Sequence, residues 1–314
     1  MVHRTKTGCL SLVGLMILSI IDCQPTSPTA SGNSTNLQVK SEHQGFKPLN
    51  FPTRRSKSVS GSAFIYRLKA VSFDDREAAT LHQFQIGNFP KFLRHTAEID
   101  TLLLDANRQS HRVRIEVLPD YWCVGSDSDF CRMPMSPQVA QKMGDALGAV
   151  LPTRKIVNII YHQAPIKLIP VPFWPVARRN ELPVTWLSHN AVIADQIFAL
   201  RRNPEEFVAG HKKDLVLSNL IADPNRPDHV VIYGWHRPDG EPIQPQTNIH
   251  VNWYMDYSHG VRFVNRQIFV DGYPRDILEI LRDPVLFCLL DDEPKPLKVT
   301  GYGPATHPGV SLGK

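Results

Sequence analysis

Five prolines between residues 165 and 183 (Pro165, Pro170, Pro172, Pro175 and Pro183) set the first limit on how this chain folds. Each proline fixes φ and removes a backbone donor, so neither a helix nor a central strand runs through them. The segment 165–185 is expected to be extended, lying on the surface or lining a cleft.

The flanking elements alternate without a regular β-α-β rhythm. Ala63–Phe73 alternates apolar and polar residues and reads as a strand, and Asp74 or Asp75 then caps a helix from Arg76 to Phe84. His111–Leu118 puts Val113, Ile115 and Val117 on one face of a strand. Ser136-Pro137 starts a helix carrying Val139, Met143, Ala146 and Leu147, and Thr153 caps a second helix running to His162. A helix over 190–201 follows the proline-rich segment. Leu215–Leu220, Val230–Tyr233, Val261–Val264 and Gln267–Val270 have strand character, the last two joined by a tight Asn265-Arg266 turn, and Asp276–Leu281 is the last helix. These elements predict an α+β fold: one domain with a mixed or antiparallel sheet and several flanking helices.

At the N-terminus, Arg4 and Lys6 precede an apolar run from Leu10 to Ile21 that is short for a bilayer span. Residues 1–23 read as a signal peptide. Cys23 stands where a lipoprotein carries its lipidated cysteine, but Asp22 occupies a position that normally takes a small residue, so plain secretion is preferred. The only membrane association expected is through such an N-terminal anchor. Residues 24–60 are rich in Ser, Thr, Pro, Asn and Gly and are assigned to a flexible tether, which leaves 61–314 as the folded domain. In an exported protein Cys123 and Cys131 could close a short disulfide, whereas Cys288 sits in an apolar run as a small hydrophobe. A net charge of +5 with no basic stripe or aromatic platform argues against a nucleic-acid partner.

The polar chemistry gathers between residues 210 and 264. Gly210-His211-Lys212-Lys213-Asp214, Tyr233-Gly234-Trp235-His236, His250 and Asp256-Tyr257-Ser258-His259-Gly260 fall within that stretch. Histidine titrates near neutrality and is the commonest metal ligand, so this density marks the candidate site. Asp256 replaces the first glycine of a nucleophile elbow, and in an extended segment Ser258 and His259 face opposite sides. A serine mechanism would therefore have to recruit His236 or His250. Ser258-His259-Gly260-Val261-Arg262 resembles the L,D-transpeptidase string without its cysteine, which removes that nucleophile.

Zinc is a candidate cofactor, with His236, His250 and His259 as ligands beside Asp256, although neither H-E-x-x-H nor paired C-x-x-C spacing supports it. The Gly125–Asp129 loop lacks the glutamate and central glycine of a calcium site. His211 and Lys213 suit an anion or oxyanion contact, while Lys212 reads as a solvated strand end. Trp235, Tyr257, Gln244 and Arg262 complete the substrate-contacting set.

Met133–Pro137, Leu151–Lys155, Gly210–Asp214, Tyr233–His236, Pro242–Pro245 and Asp256–Gly260 together resemble a family of exported bacterial proteins with no assigned activity. The resemblance covers about residues 110–285 and implies export and a shared domain, without a mechanism. The expected function is an exported hydrolase acting on an extracytoplasmic polymer, such as peptidoglycan, another glycan or a peptide. His236 or His259 would serve as general base, with His250, Asp256 and Ser258 in the same cleft. The alternative is a secreted or lipid-anchored module that holds a ligand without turning it over.

Overall fold

Strand β2 (Ser110–Val117) organises the larger sheet, because Val113, Ile115 and Val117 are all buried on its inner face. β1 (Ala97–Leu104) pairs antiparallel along one edge of β2. Along the other edge lie, in turn, β12 (Val264–Asn265) and β13 (Gln267–Val270). β5 (Ala149–Val150) extends the sheet beyond β12, and β14 (Tyr273–Asp276) extends it beyond β13. β12 and β13 are therefore successive partners of one strand, and the predicted Asn265-Arg266 hairpin does not form. Asn265 is buried and donates through Nδ2 to Lys47 O (2.8 Å) and Glu116 Oε2 (2.6 Å).

A second sheet has the order β10 (Pro242–Val251), β9 (His229–His236), β8 (Lys213–Leu215), β11 (His259–Gly260); β8 and β11 are parallel and the other pairs antiparallel. Two small pairs complete the strands: β3 (Cys123–Gly125) with β4 (Phe130–Arg132), and β6 (Ile166–Lys167) with β7 (Val208–Ala209). The helices are α1 (Gly61–Arg67), α2 (Phe73–Gln85), α3 (Pro137–Leu147), α4 (Arg154–Gln163), α5 (Pro183–Ala199) and α6 (Ile277–Arg282). Helices flanking antiparallel and mixed sheets in one domain make the fold α+β. The computed structural model describes residues 45–304 except residue 57; the stretch read as a signal peptide, the expected tether as far as residue 44, Cys9 and Cys23 lie outside the described residues. Among the described residues no helix is long and apolar enough to cross a membrane.

Several caps are as the sequence predicts. Val139 N donates to Ser136 Oγ and Ile156 N to Thr153 Oγ1, while Asp276, predicted as the first residue of the last helix, is its cap and accepts from Leu278 N. Other elements differ. Ala63–Phe73 is not a strand: Phe64, Ile65 and Leu68 are buried at helical spacing, and α1 and a 3-10 turn occupy the segment. α2 begins one turn earlier than predicted, because Ser72 rather than Asp74 or Asp75 accepts the capping bond from Asp75 N. α5 starts at Pro183, where a missing N–H costs nothing. Residues 45–60, assigned by composition to the tether, pack on the domain: Asn50 N donates to Leu147 O, Arg54 Nη1 to Gly125 O, and Phe46 meets Phe269 edge to face.

Cys123 and Cys131 are free thiols. They sit on neighbouring strands but face Arg132 and Val124, not each other. Burial raises both, Cys131 to about 12, so both stay protonated. Cys288 is only partly buried.

Candidate functional site

Three of the sequence motifs meet on adjacent strands. His259 lies opposite Lys213 and Gly260 opposite Asp214 across the parallel β8–β11 pair, while Lys213 and Asp214 face Gly234 and Tyr233 of β9. Lys213 N donates to Ser258 O (2.7 Å) and Trp235 N to Lys212 O (3.0 Å). Gly260 is required here, since a Cβ would sit 2.5 Å from Tyr121 Cδ1.

The run 211–214 sends consecutive side chains to different partners. His211 Nε2 donates to Asp120 Oδ1 (3.1 Å), and Asp120 also receives Arg132 Nε (2.9 Å) in a fully buried ion pair. Burial opposes ionisation of Asp120, but Arg132 and His211 outweigh it and hold the carboxyl well below its usual range. Burial brings His211 down to about 4. Lys212, expected in solvent, is 1% exposed; its Nζ donates to Tyr257 O and, at 3.3 Å, to His189 Nδ1. Burial lowers it to about 8. Lys213 is half-buried, with Nζ 5.2 Å from the Trp235 ring centre, and Asp214 accepts from the Tyr121 hydroxyl (2.7 Å). His211 is thus an internal strut and not an anion contact. Arg262 is likewise buried, donating to Leu118 O and Val208 O.

Asp256 is the hub of the outer part. Its Oδ1 accepts from Ser258 N (2.8 Å) and Ser258 Oγ (2.5 Å), and its Oδ2 from the Tyr254 hydroxyl (3.0 Å). Burial works against the charge, yet His259, Lys213 and the Ser258 hydrogen bonds keep the carboxyl below its usual value. His259 is 1% exposed and burial lowers its imidazole. Its Nε2 is buried with no hydrogen-bond partner. Half-buried His250 and Tyr254 stack on each other at 4.3 Å, and their ring centres lie 6.2 and 5.8 Å from that of His259. Ser258, whose role the sequence leaves open between nucleophile and turn residue, is a turn-closing donor with its hydroxyl bonded to a carboxylate and not to a histidine.

His236 departs from this group. Gly234 and Trp235 both have positive φ (109° and 60°), which breaks the alternation of β9. Trp235 stays in the core near Tyr257, while His236 turns toward α4, stacking on Tyr161 (4.5 Å) and reaching Asn158 Oδ1 (3.0 Å). His236, His250 and His259 therefore do not form the predicted zinc ligand set, and among the described residues no group of three His, Cys, Asp or Glu is placed to hold a metal ion. Gln244 bonds within its own strand, through Nε2 to Pro245 O and Thr247 Oγ1. Tyr257 is buried, its hydroxyl accepting from Phe173 N (2.6 Å). Sequence reasoning missed Tyr254 and His189; the Tyr254-x-Asp256 spacing is the one signal that pointed to the former.

His250, His259, Asp256 and Lys213 thus gather around one turn, with Tyr254 added. Compared with family models, with curated proteins and with solved structures, the chain matches none, and none of them supports the resemblance to a family of exported proteins.

Proposed function

We propose that the chain is an exported hydrolase of an extracytoplasmic polymer, with Asp256 and His259 at the centre of its acid–base site. The observation that carries this reading is the buried, unpartnered Nε2 of His259 within electrostatic reach of an ionised carboxylate. A neutral imidazole in that setting takes a proton from an attacking water, and Asp256 stabilises the imidazolium that results. The Lys213 ammonium is the group that offsets negative charge developing on the substrate. Half-buried His250 lies beside His259, their ring centres 6.2 Å apart. Export rests on the N-terminal sequence, where Arg4 and Lys6 precede the apolar run.

The test is incubation of the full chain with purified peptidoglycan, neutral polysaccharides and peptides, with products identified by mass spectrometry. Cleavage that His259→Ala abolishes while the far-ultraviolet spectrum stays unchanged supports the reading. Cleavage that survives the substitution overturns it.

A ligand-holding module is the second reading. It is favoured by the internal satisfaction of Ser258, Tyr257 and Arg262, which tie the turn to its surroundings. Saturable binding of a polymer fragment without turnover would establish it.

A further inference from the structure

We infer that Lys212 is a positioning residue of the site around Asp256 and His259, a buried ammonium that holds the turn by its Tyr257 carbonyl and is itself oriented by His189 on α5. This rests on that turn carrying the acid–base chemistry proposed above, and it adds the group that sets the turn's geometry and its electrostatics.

The turn 256–258 has three successive carbonyls that accept hydrogen bonds. Asp256 O accepts from His259 N (3.1 Å) and Ser258 O from Lys213 N (2.7 Å), both main-chain donors. Tyr257 O accepts instead from a side chain, the Nζ of Lys212. A buried carbonyl needs its donor, so the conformation between Asp256 and His259 depends on that one lysine. The main chain of Lys212 is fixed on its other side, because Lys212 O accepts from Trp235 N (3.0 Å) and from the Tyr121 hydroxyl (3.3 Å). Lys212 also packs closely on the strand that carries His259. A Cβ at Gly260 would stand 2.9 Å from Lys212 Cβ.

Lys212 is 1% exposed, and its two acceptors, a carbonyl and an imidazole, carry no charge. Burying an ammonium in that setting is costly, and an apolar side chain of similar length would fill the same space. Packing alone therefore does not account for a lysine here. His189 provides the orientation: its ring lies 4.8 Å from that of Tyr257 and 5.4 Å from that of Phe173, and its Nδ1 accepts from Lys212 Nζ at 3.3 Å. Burial, and then the charge of Lys212, keep His189 unprotonated, which leaves Nδ1 free to accept. The other charged or titratable groups that act on Lys212 are Cys131, Arg132, Asp256 and Asp120. Those that act on His259 are Asp256, which favours its imidazolium, and Lys213, His250 and Lys212, which oppose it. Lys212 thus helps to hold His259 as the free base that the proposed reaction requires.

The experiment compares the full chain with its Lys212→Met, His189→Leu and His189→Asn variants. Lys155→Met is the control, since the Lys155 ammonium also donates to a backbone carbonyl, Cys288 O, outside the site. Folding is read by far-ultraviolet circular dichroism, the titration of His259 by NMR of its imidazole, and kcat and KM on soluble peptidoglycan fragments, neutral oligosaccharides and peptides. In Lys212→Met the His259 midpoint is expected to move up, as removal of a nearby positive charge requires, and kcat to fall about tenfold or more with KM nearly unchanged. His189→Leu should lower kcat, His189→Asn should restore it through an amide oxygen in place of Nδ1, and Lys155→Met should change neither quantity. Where Lys212→Met does not fold, Lys212→Gln, an uncharged donor, takes its place for the His259 midpoint. A folded Lys212 variant with the His259 midpoint of wild type overturns the inference, as does Lys212→Met with wild-type kcat, His189→Asn as slow as His189→Leu, or an equal loss in Lys155→Met. If the wild-type chain cleaves none of these substrates, the hydrolase reading falls and the His259 midpoint alone decides the role of Lys212.

Discussion

His259 stands opposite Lys213 across a parallel pair of short strands, which joins two polar motifs separated by more than forty residues of chain. The hydrogen bond from Lys213 N to Ser258 O fixes that register. A one-residue slip of β8 would turn its side chains to the opposite face and take Lys213 away from Asp256. The candidate site therefore depends on the pairing of β8 with β11 as much as on its side chains.

Ser258 provides the first prediction. Its hydroxyl donates to the buried Asp256 carboxylate, so Ser258→Ala should cost about 1–3 kcal/mol of stability while reducing turnover far less than His259→Ala. Urea unfolding and product release measure the two effects. Abolished turnover in a normally folded Ser258→Ala would make Ser258 the nucleophile and contradict its role as a turn residue.

The Asp120–Arg132 pair provides the second. Both side chains are buried, and removing one leaves the other charge uncompensated. Asp120→Ala should lose about 3–5 kcal/mol, read as a shift in the denaturant midpoint. Asp100→Ala, which breaks the more exposed pair with Arg112, should shift that midpoint far less. Equal losses would contradict the importance assigned to burial.

Acid sensitivity is the third. Burial lowers His211 and His236 to about 4 and also lowers His189 and His259. The unfolded chain takes up those protons near pH 6.5, so between pH 6.5 and 4 it binds more protons than the folded chain and stability falls as pH falls. Thermal melting across that window should drop steadily. A flat profile would show that the histidines are solvated.

His111 is expected to act with the opposite sign. Its hydrogen bond to Asp271, together with the nearby Asp105, raises its pKa against a smaller effect of burial. The stabilisation is fully present below the unfolded value near 6.5 and is lost as pH rises through the higher folded value. His111→Asn should therefore narrow its deficit to wild type as the pH is raised from 6 to 9. A deficit independent of pH would contradict the ion-pair assignment.

The local signals in the sequence were legible where one residue type does one job. Ser136, Thr153 and Asp276 cap the helices they were expected to start, and the alternation in Ser110–Val117 locates the central strand. Ala63–Phe73 misled because Phe64, Ile65 and Leu68 satisfy a helical period as well as a loose alternation. Pro242 and Pro245 hid β10, an edge strand whose outer side has no ladder bonds to lose. Within the site, the sequence brought His250, Asp256, His259 and Lys213 into one stretch, but consecutive positive φ at Gly234 and Trp235 separated His236 from them. The burial of Lys212 and Arg262 depends on carbonyls contributed by distant segments, which no local pattern encodes.

The most direct test compares two histidines that the sequence ranks alike and the structure sets apart. The measurement is kcat/KM of His259→Ala and His236→Ala on the polymer that the wild-type chain cleaves. The account predicts a loss of about 10²–10⁴-fold for His259→Ala and less than about tenfold for His236→Ala, which disturbs only packing against Tyr161 and Asn158. The reverse order, with His236→Ala inactive and His259→Ala near wild type, would place the chemistry beside α4 and contradict the account.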